Sequence, residues 1–90
     1  MQNKKYKIIL DQGLCVKPAT ELVHFVMKFH SEISLKAFQK RIDFKSLMGI
    51  LSLGISGGTE IEVTAEGQDE KEAISAITQK LIELNLAIEL

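Results

Sequence analysis

Ninety residues, 46% of them apolar, with a formal charge of −1, suffice for one compact core, and eleven basic against twelve acidic residues leave no electrostatic stripe for nucleic acid or an anionic bilayer. A single cysteine excludes an internal disulfide, and no apolar run approaches the roughly 20 residues that span a membrane. The polar start Met1-Gln2-Asn3-Lys4-Lys5 has no secretory hydrophobic region, so the expectation is one domain over residues 1–90, cytoplasmic, with proteins as partners, no direct nucleic acid contact and no membrane insertion.

Tyr6 to Leu10 reads as a first strand, stopped by Asp11-Gln12-Gly13. Gly13 to Thr20 then places the lone Cys15 where a loop becomes a helix. Pro18 suits a first helical turn, and the unpaired amides of that turn attract anions toward Cys15. Two readings of Cys15 follow, an inert small hydrophobe and a nucleophile. From Pro18 to about Phe29, the positions Ala19, Leu22, Val23, Val26 and Phe29 recur at helical spacing and build one buried face, with Phe25 and Met27 off its centre.

Ile33 to Ala37 alternates as a second strand whose phase slips at Phe38. Gln39-Lys40 joins it to a short third strand, Arg41 to Phe44, with Ile42 and Phe44 facing inward. Leu47 to Leu53 returns to helical character behind Ser46, a natural N-cap, although Gly49 costs about 1 kcal/mol relative to alanine. Leu47, Met48, Ile50 and Leu51 cannot all face inward on so short a helix, so part of this apolar surface should be exposed.

Ser56-Gly57-Gly58 is a turn, and Thr59 to Glu66 is a fourth strand with Ile61, Val63 and Ala65 inward. Asp69 and Glu72 have the spacing of a capping box ahead of the stripe Ala73, Ile74, Ile77, Leu81 and Leu84, and Asn85 suits the left-handed residue that ends a helix. The apolar tail Leu86 to Leu90 either docks on the body or frays. The order βαββαβα implies an α+β protein with an antiparallel sheet covered on one face by helices. His24 and His30 read as surface residues without metal-ligand spacing, and the glycine-rich Gly54 to Gly58 lacks the lysine of a nucleotide-phosphate loop.

Two segments together carry a resemblance. Gly13-Leu14-Cys15-Val16-Lys17-Pro18-Ala19 is similar to the Gly-Leu-His-Ala-Arg-Pro-Ala of the HPr phosphocarrier family of the sugar phosphotransferase system. Lys45-Ser46-Leu47-Met48-Gly49-Ile50-Leu51-Ser52-Leu53 is similar to that family's Lys-Ser-Ile-Met-Gly-Val-Met-Ser-Leu. Both stand in the family's order and separation, and the similarity runs to about Leu84. The resemblance implies an open-faced sandwich, a four-stranded antiparallel sheet with three helices, and no cofactor. The carrier half has diverged: Cys15 stands where the family has the phosphorylated histidine, Val16 follows in place of alanine, and Lys17 replaces an arginine whose planar fork grips phosphate on two sides.

The regulatory half is intact. The resemblance therefore implies a Crh-like regulator, not an enzyme, phosphorylated on Ser46 by HPr kinase/phosphorylase and then acting as corepressor for a LacI-type catabolite control repressor. It further implies partner contacts through Lys17, Leu47, Met48 and Leu51. The alternative is a phosphocarrier in which Cys15, with Lys17 beside it, accepts the phosphoryl group from enzyme I, the loading enzyme; a third reading makes Cys15 a redox-active thiol whose oxidation alters docking.

Overall fold

The computed structural model describes every residue from Met1 to Leu90. The elements run β1 (Gln2–Ile8), α1 (Val16–Val26), β2 (Glu32–Ala37), β3 (Lys40–Asp43), α2 (Leu47–Leu53), β4 (Glu60–Glu66), α3 (Glu70–Glu83) and β5 (Ala87–Glu89). All strand pairs are antiparallel, in the order β3-β2-β4-β1-β5. The expected α+β architecture of an antiparallel sheet packed against three helices is present, but the sheet has five strands, not four.

The extra strand comes from the apolar tail. Asn85 takes the left-handed conformation (φ 55°), and the amides of Asn85 and Leu86 reach back to the carbonyls of Ile82 and Leu81 at 3.0 and 2.9 Å. That pair of bonds ends α3 in a Schellman turn, with Leu86 buried beside Leu81, and reverses the chain onto β1. Tail docking, left open by composition, is thus settled by helix termination.

Strand β1 begins and ends earlier than the expected Tyr6–Leu10. Its polar residues Gln2 to Lys5 lie in register with Glu62 to Ala65 of β4, so pairing supplies the extended conformation that their side chains do not signal. Ile9 leaves the span and donates its amide to Leu86. Helix α1 starts at Val16, two residues before Pro18, and stops at Val26; Phe29 is buried beyond its end. Likewise β3 closes at Asp43, leaving Ile42 half-buried and Phe44 fully buried just past the strand.

Between β2 and β3 the turn residues are Phe38 (φ 53°) and Gln39 (φ 66°), both left-handed. A two-residue hairpin wants that pair of conformations, for which Asn-Gly is the usual sequence. Here an exposed phenylalanine holds one of them.

The core is one cluster of 23 buried apolar residues drawn from every element except β3. Tyr6 and Thr78 place one polar contact within it: their hydroxyls are 2.7 Å apart, and Thr78 Oγ1 donates to the carbonyl of Ile74 at 2.8 Å. Burial raises the Tyr6 phenol above its ordinary pKa.

The expected capping box at Asp69 does not form. The Asp69 carboxylate instead accepts from the amides of His30 and Ser31, each at 2.9 Å, and from the Ser31 hydroxyl. It thereby fastens the α1–β2 loop to the start of α3, and those bonds, the Ser31 hydroxyl first, hold its pKa down at about 2. Glu70, not Glu72, turns back to accept from the Gly67 amide at 3.1 Å, and it meets the Met1 ammonium at 2.7 Å.

Candidate functional site

The loop that presents Cys15 is held by its backbone. Gly13 is left-handed (φ 68°), and a Cβ there would fall 2.0 Å from the carbonyl oxygen of Ile55, so only glycine permits this approach. The next amide, of Leu14, donates to that same carbonyl at 3.0 Å, while the Leu14 side chain enters the core. Since Ile55 follows α2, these contacts tie the start of α1 to the end of α2, and the two helices pack together.

Leu14 goes in and Cys15 comes out. Cys15 is the N-cap of α1, with extended backbone (φ −78°, ψ −176°), and its carbonyl accepts the first helical bond from the Ala19 amide at 3.0 Å. Its side chain is exposed, free and makes no capping hydrogen bond. The first turn holds no acidic residue, and Pro18 has no amide to leave unpaired. Val16, beside Cys15, is also exposed; it lies outside the apolar stripe of α1, the one sign of this in the sequence.

Lys17 is exposed on the same turn and forms no ion pair within the chain. With Thr20, Glu21, His24, Phe25 and Lys80 it lines an open groove between α1 and α3. The Lys28 ammonium sits 4.2 Å from the centre of the Phe25 ring. Both histidines are exposed, and no group of three or more His, Cys, Asp or Glu side chains gathers where a metal could be held.

Ser46 stands at the head of α2 as its N-cap. The hydroxyl accepts from the Gly49 amide at 3.0 Å, and again the first turn carries no carboxylate. Lys45 anchors the approach to it: its ammonium donates to the carbonyls of Phe29 and Ser31 at 2.7 and 3.1 Å, and its amide to Asp43 Oδ1 at 2.9 Å. This clamp is invisible in the sequence, because its acceptors are backbone atoms of a distant loop.

Helix α2 divides its apolar residues by face. Ile50 and Leu53 are buried, Met48 is 77% exposed, and Leu47 and Leu51 are half-buried against the core. The expected exposed surface therefore centres on Met48. Leu47 and Leu51 offer only part of theirs.

The model of the family described as the PTS HPr component phosphorylation site matches residues 2–83. The histidine-containing phosphocarrier protein of Mycoplasma is 35% identical, with 94% of this chain and 97% of that one covered and a TM-score of 0.91. HPr-C-His from Thermoanaerobacter tengcongensis is 40% identical over 94% of each chain, with a TM-score of 0.86. Crh, the catabolite repression protein of Bacillus subtilis solved as a swapped dimer, is 36% identical over 82% of this chain and 85% of that one, with a TM-score of 0.72.

Proposed function

From the premise that this chain belongs to the PTS HPr family, we propose that it is a regulatory, Crh-like member whose output is the phosphorylation state of Ser46. One observation carries the reading: Ser46 caps α2 with the exposed Met48 on the same helix, while the position matching the family's carrier histidine holds Cys15. HPr kinase/phosphorylase would transfer the γ-phosphoryl group of ATP to Ser46 Oγ. The new O–P bond replaces the O–H bond, the proton leaves, and ADP departs with the broken β–γ bridge.

The modification adds nearly two negative charges at a helix N-terminus, where the backbone dipole tolerates them without refolding. It is a label added to an existing apolar surface. A LacI-type catabolite control repressor would read the phosphate through charge-assisted hydrogen bonds and the neighbouring Met48 by burial, with Leu47, Leu51 and Lys17 at the margin. DNA contact falls to the repressor, since this chain has a net charge of −1 and no basic stripe. No helix is long and apolar enough to cross a membrane, and we place the protein in the cytoplasm as one HPr-like domain without enzymatic activity.

A second reading rests on the exposure of Cys15 at an N-cap whose side chain makes no hydrogen bond. Cys15 would attack the phosphohistidine of enzyme I, forming an S–P bond as the N–P bond breaks. Lys17 would balance charge there without the bidentate grip of arginine.

Incubation with ATP and the kinase in one tube, and with phosphoenolpyruvate and enzyme I in another, separates the two by mass spectrometry. Phosphate on Ser46 in the first tube, absent from Ser46→Ala, with little on Cys15 in the second, is the expected result. Phosphate mainly on Ser31, Ser34, Ser52 or Ser56 would overturn the Ser46 assignment, and rapid labelling of Cys15 would favour the carrier. Cys15→His with Lys17→Arg should accept phosphate from enzyme I, because the Gly13-Leu14 loop still presents position 15.

A further inference from the structure

The sheet ends in two unlike edges. On one side β3 offers Lys40, Arg41 and Asp43, and a charged edge opposes pairing with another strand. On the other side β5 offers Ala87, Ile88 and Glu89, with neither lysine nor proline to guard it.

The register shows which groups face outward. β5 pairs Glu89 with Tyr6, Ile88 with Lys7 and Ala87 with Ile8, while Leu90 donates to the Lys5 carbonyl at 3.0 Å and Leu86 accepts from the Ile9 amide at 2.8 Å. The backbone groups of Leu86, Ile88 and Leu90 are therefore turned toward β1, and those of Ala87 and Glu89 point away from the sheet. Side chains alternate by face. Ile88 and Leu90 share the helix-free face with Lys7 and Lys5 and are 47% and 59% exposed, and Ile9 is exposed near them.

We propose that β5 is a self-association edge, where two copies of this chain pair β5 to β5 antiparallel about a twofold axis at Ile88 and join their sheets into one. The register follows from the outward groups. Ala87 of each copy lies opposite Glu89 of the other, and each such pair exchanges two N–H···O bonds. Ile88 meets Ile88 in the intervening non-hydrogen-bonded pair, where Cα atoms stand about 4.5 Å apart and side chains touch.

A second copy fits this edge because the pattern is complementary to itself. The only charged strand residue, Glu89, faces the methyl group of Ala87, so no carboxylate opposes another, and Lys4 already holds Glu89 at 2.5 Å. The exposed isoleucine covers its own counterpart. A contact of three residues per strand is small, so the dimer is weak and concentration-dependent. It involves neither Cys15 nor Ser46 and stands apart from the regulatory reading.

Sedimentation equilibrium from micromolar to millimolar concentration should show the apparent mass of the wild type rising toward twice the monomer. Ile88→Lys should stay monomeric throughout, with the wild-type circular dichroism spectrum. In a Cys15→Ser background, Ile88→Cys should oxidise readily to a covalent dimer, since the paired spacing lies within the roughly 4.4–6.8 Å range of disulfides. Lys7→Cys, one strand inward on the same face, should not. A wild type that remains monomeric at millimolar concentration overturns the proposal, even if it captures an unrelated strand. Dimerisation that survives in Ile88→Lys, as that of a domain-swapped pair would, and equal cross-linking through Lys7→Cys, overturn it too.

Discussion

Ser46→Ala should cost stability before any question of phosphorylation arises. The Ser46 hydroxyl accepts from the Gly49 amide at 3.0 Å in a partly buried position, and alanine leaves that donor with no partner in the chain. Loss of such a cap costs about 1 kcal/mol, within a range of roughly 0.5 to 2. In a domain of this size that corresponds to a fall of roughly 4–8 °C in Tm. Ser46→Asp retains an acceptor and adds a negative charge to a helix start that has no other carboxylate, a favourable placement worth about 0.3–1 kcal/mol. It should melt at or above the wild-type temperature. Urea and thermal unfolding of the three proteins, followed by circular dichroism, make the comparison. A Ser46→Ala protein as stable as wild type would refute the capping account, and a Ser46→Asp protein less stable than Ser46→Ala would refute the claim that α2 tolerates a phosphate without refolding.

Met48→Ala should change stability by less than about 0.5 kcal/mol while weakening binding to the repressor proposed as partner, whereas Ile50→Ala, on the buried face, should cost about 2–5 kcal/mol. Titration calorimetry alongside urea melts separates the two, and a strongly destabilised Met48→Ala with unchanged binding would return Met48 to the core. Replacing Phe38 with Asn and Gln39 with Gly should raise stability by about 1 kcal/mol or more, because both sites are left-handed and a side chain without local hydrogen bonding is strained there; an unmoved urea midpoint would show the turn to be relaxed. The Asp69 carboxyl, held at about 2 by the Ser31 hydroxyl and neighbouring amides, contributes stability that is complete above its unfolded pKa of about 3.9 and is lost as pH falls through the folded value. The Tm gap between wild type and Asp69→Asn should therefore be constant above about pH 5 and shrink between about 4 and 2; a gap that widens on acidification would contradict the hydrogen-bond assignment.

Periodicity located every helix and four of the strands, since the stripe of α1 and the alternation of β4 depend on side chains that a single segment contains. Its boundary errors share one physical cause. Lys4 and Lys5 carry no strand signal and become strand by pairing with β4, and Cys15 becomes an N-cap because the loop before it is held by Ile55. Asp69 had the spacing of a capping box, yet its carboxylate found better donors at His30 and Ser31, which local spacing cannot reveal.

The sequence by itself determined the α+β class, the helical setting of Ser46 and the place of the lone Cys15 just ahead of the first helix, because each depends on residue identity or short-range spacing. Tertiary structure decided which apolar residues of α2 remain outside, where Lys45 anchors, and that the tail becomes β5, because each depends on groups many residues apart meeting in space. Composition left Leu86 to Leu90 undecided between docking and fraying. A left-handed Asn85 and two backbone hydrogen bonds turn that segment onto β1, and this packing leaves Ile88 on an open edge.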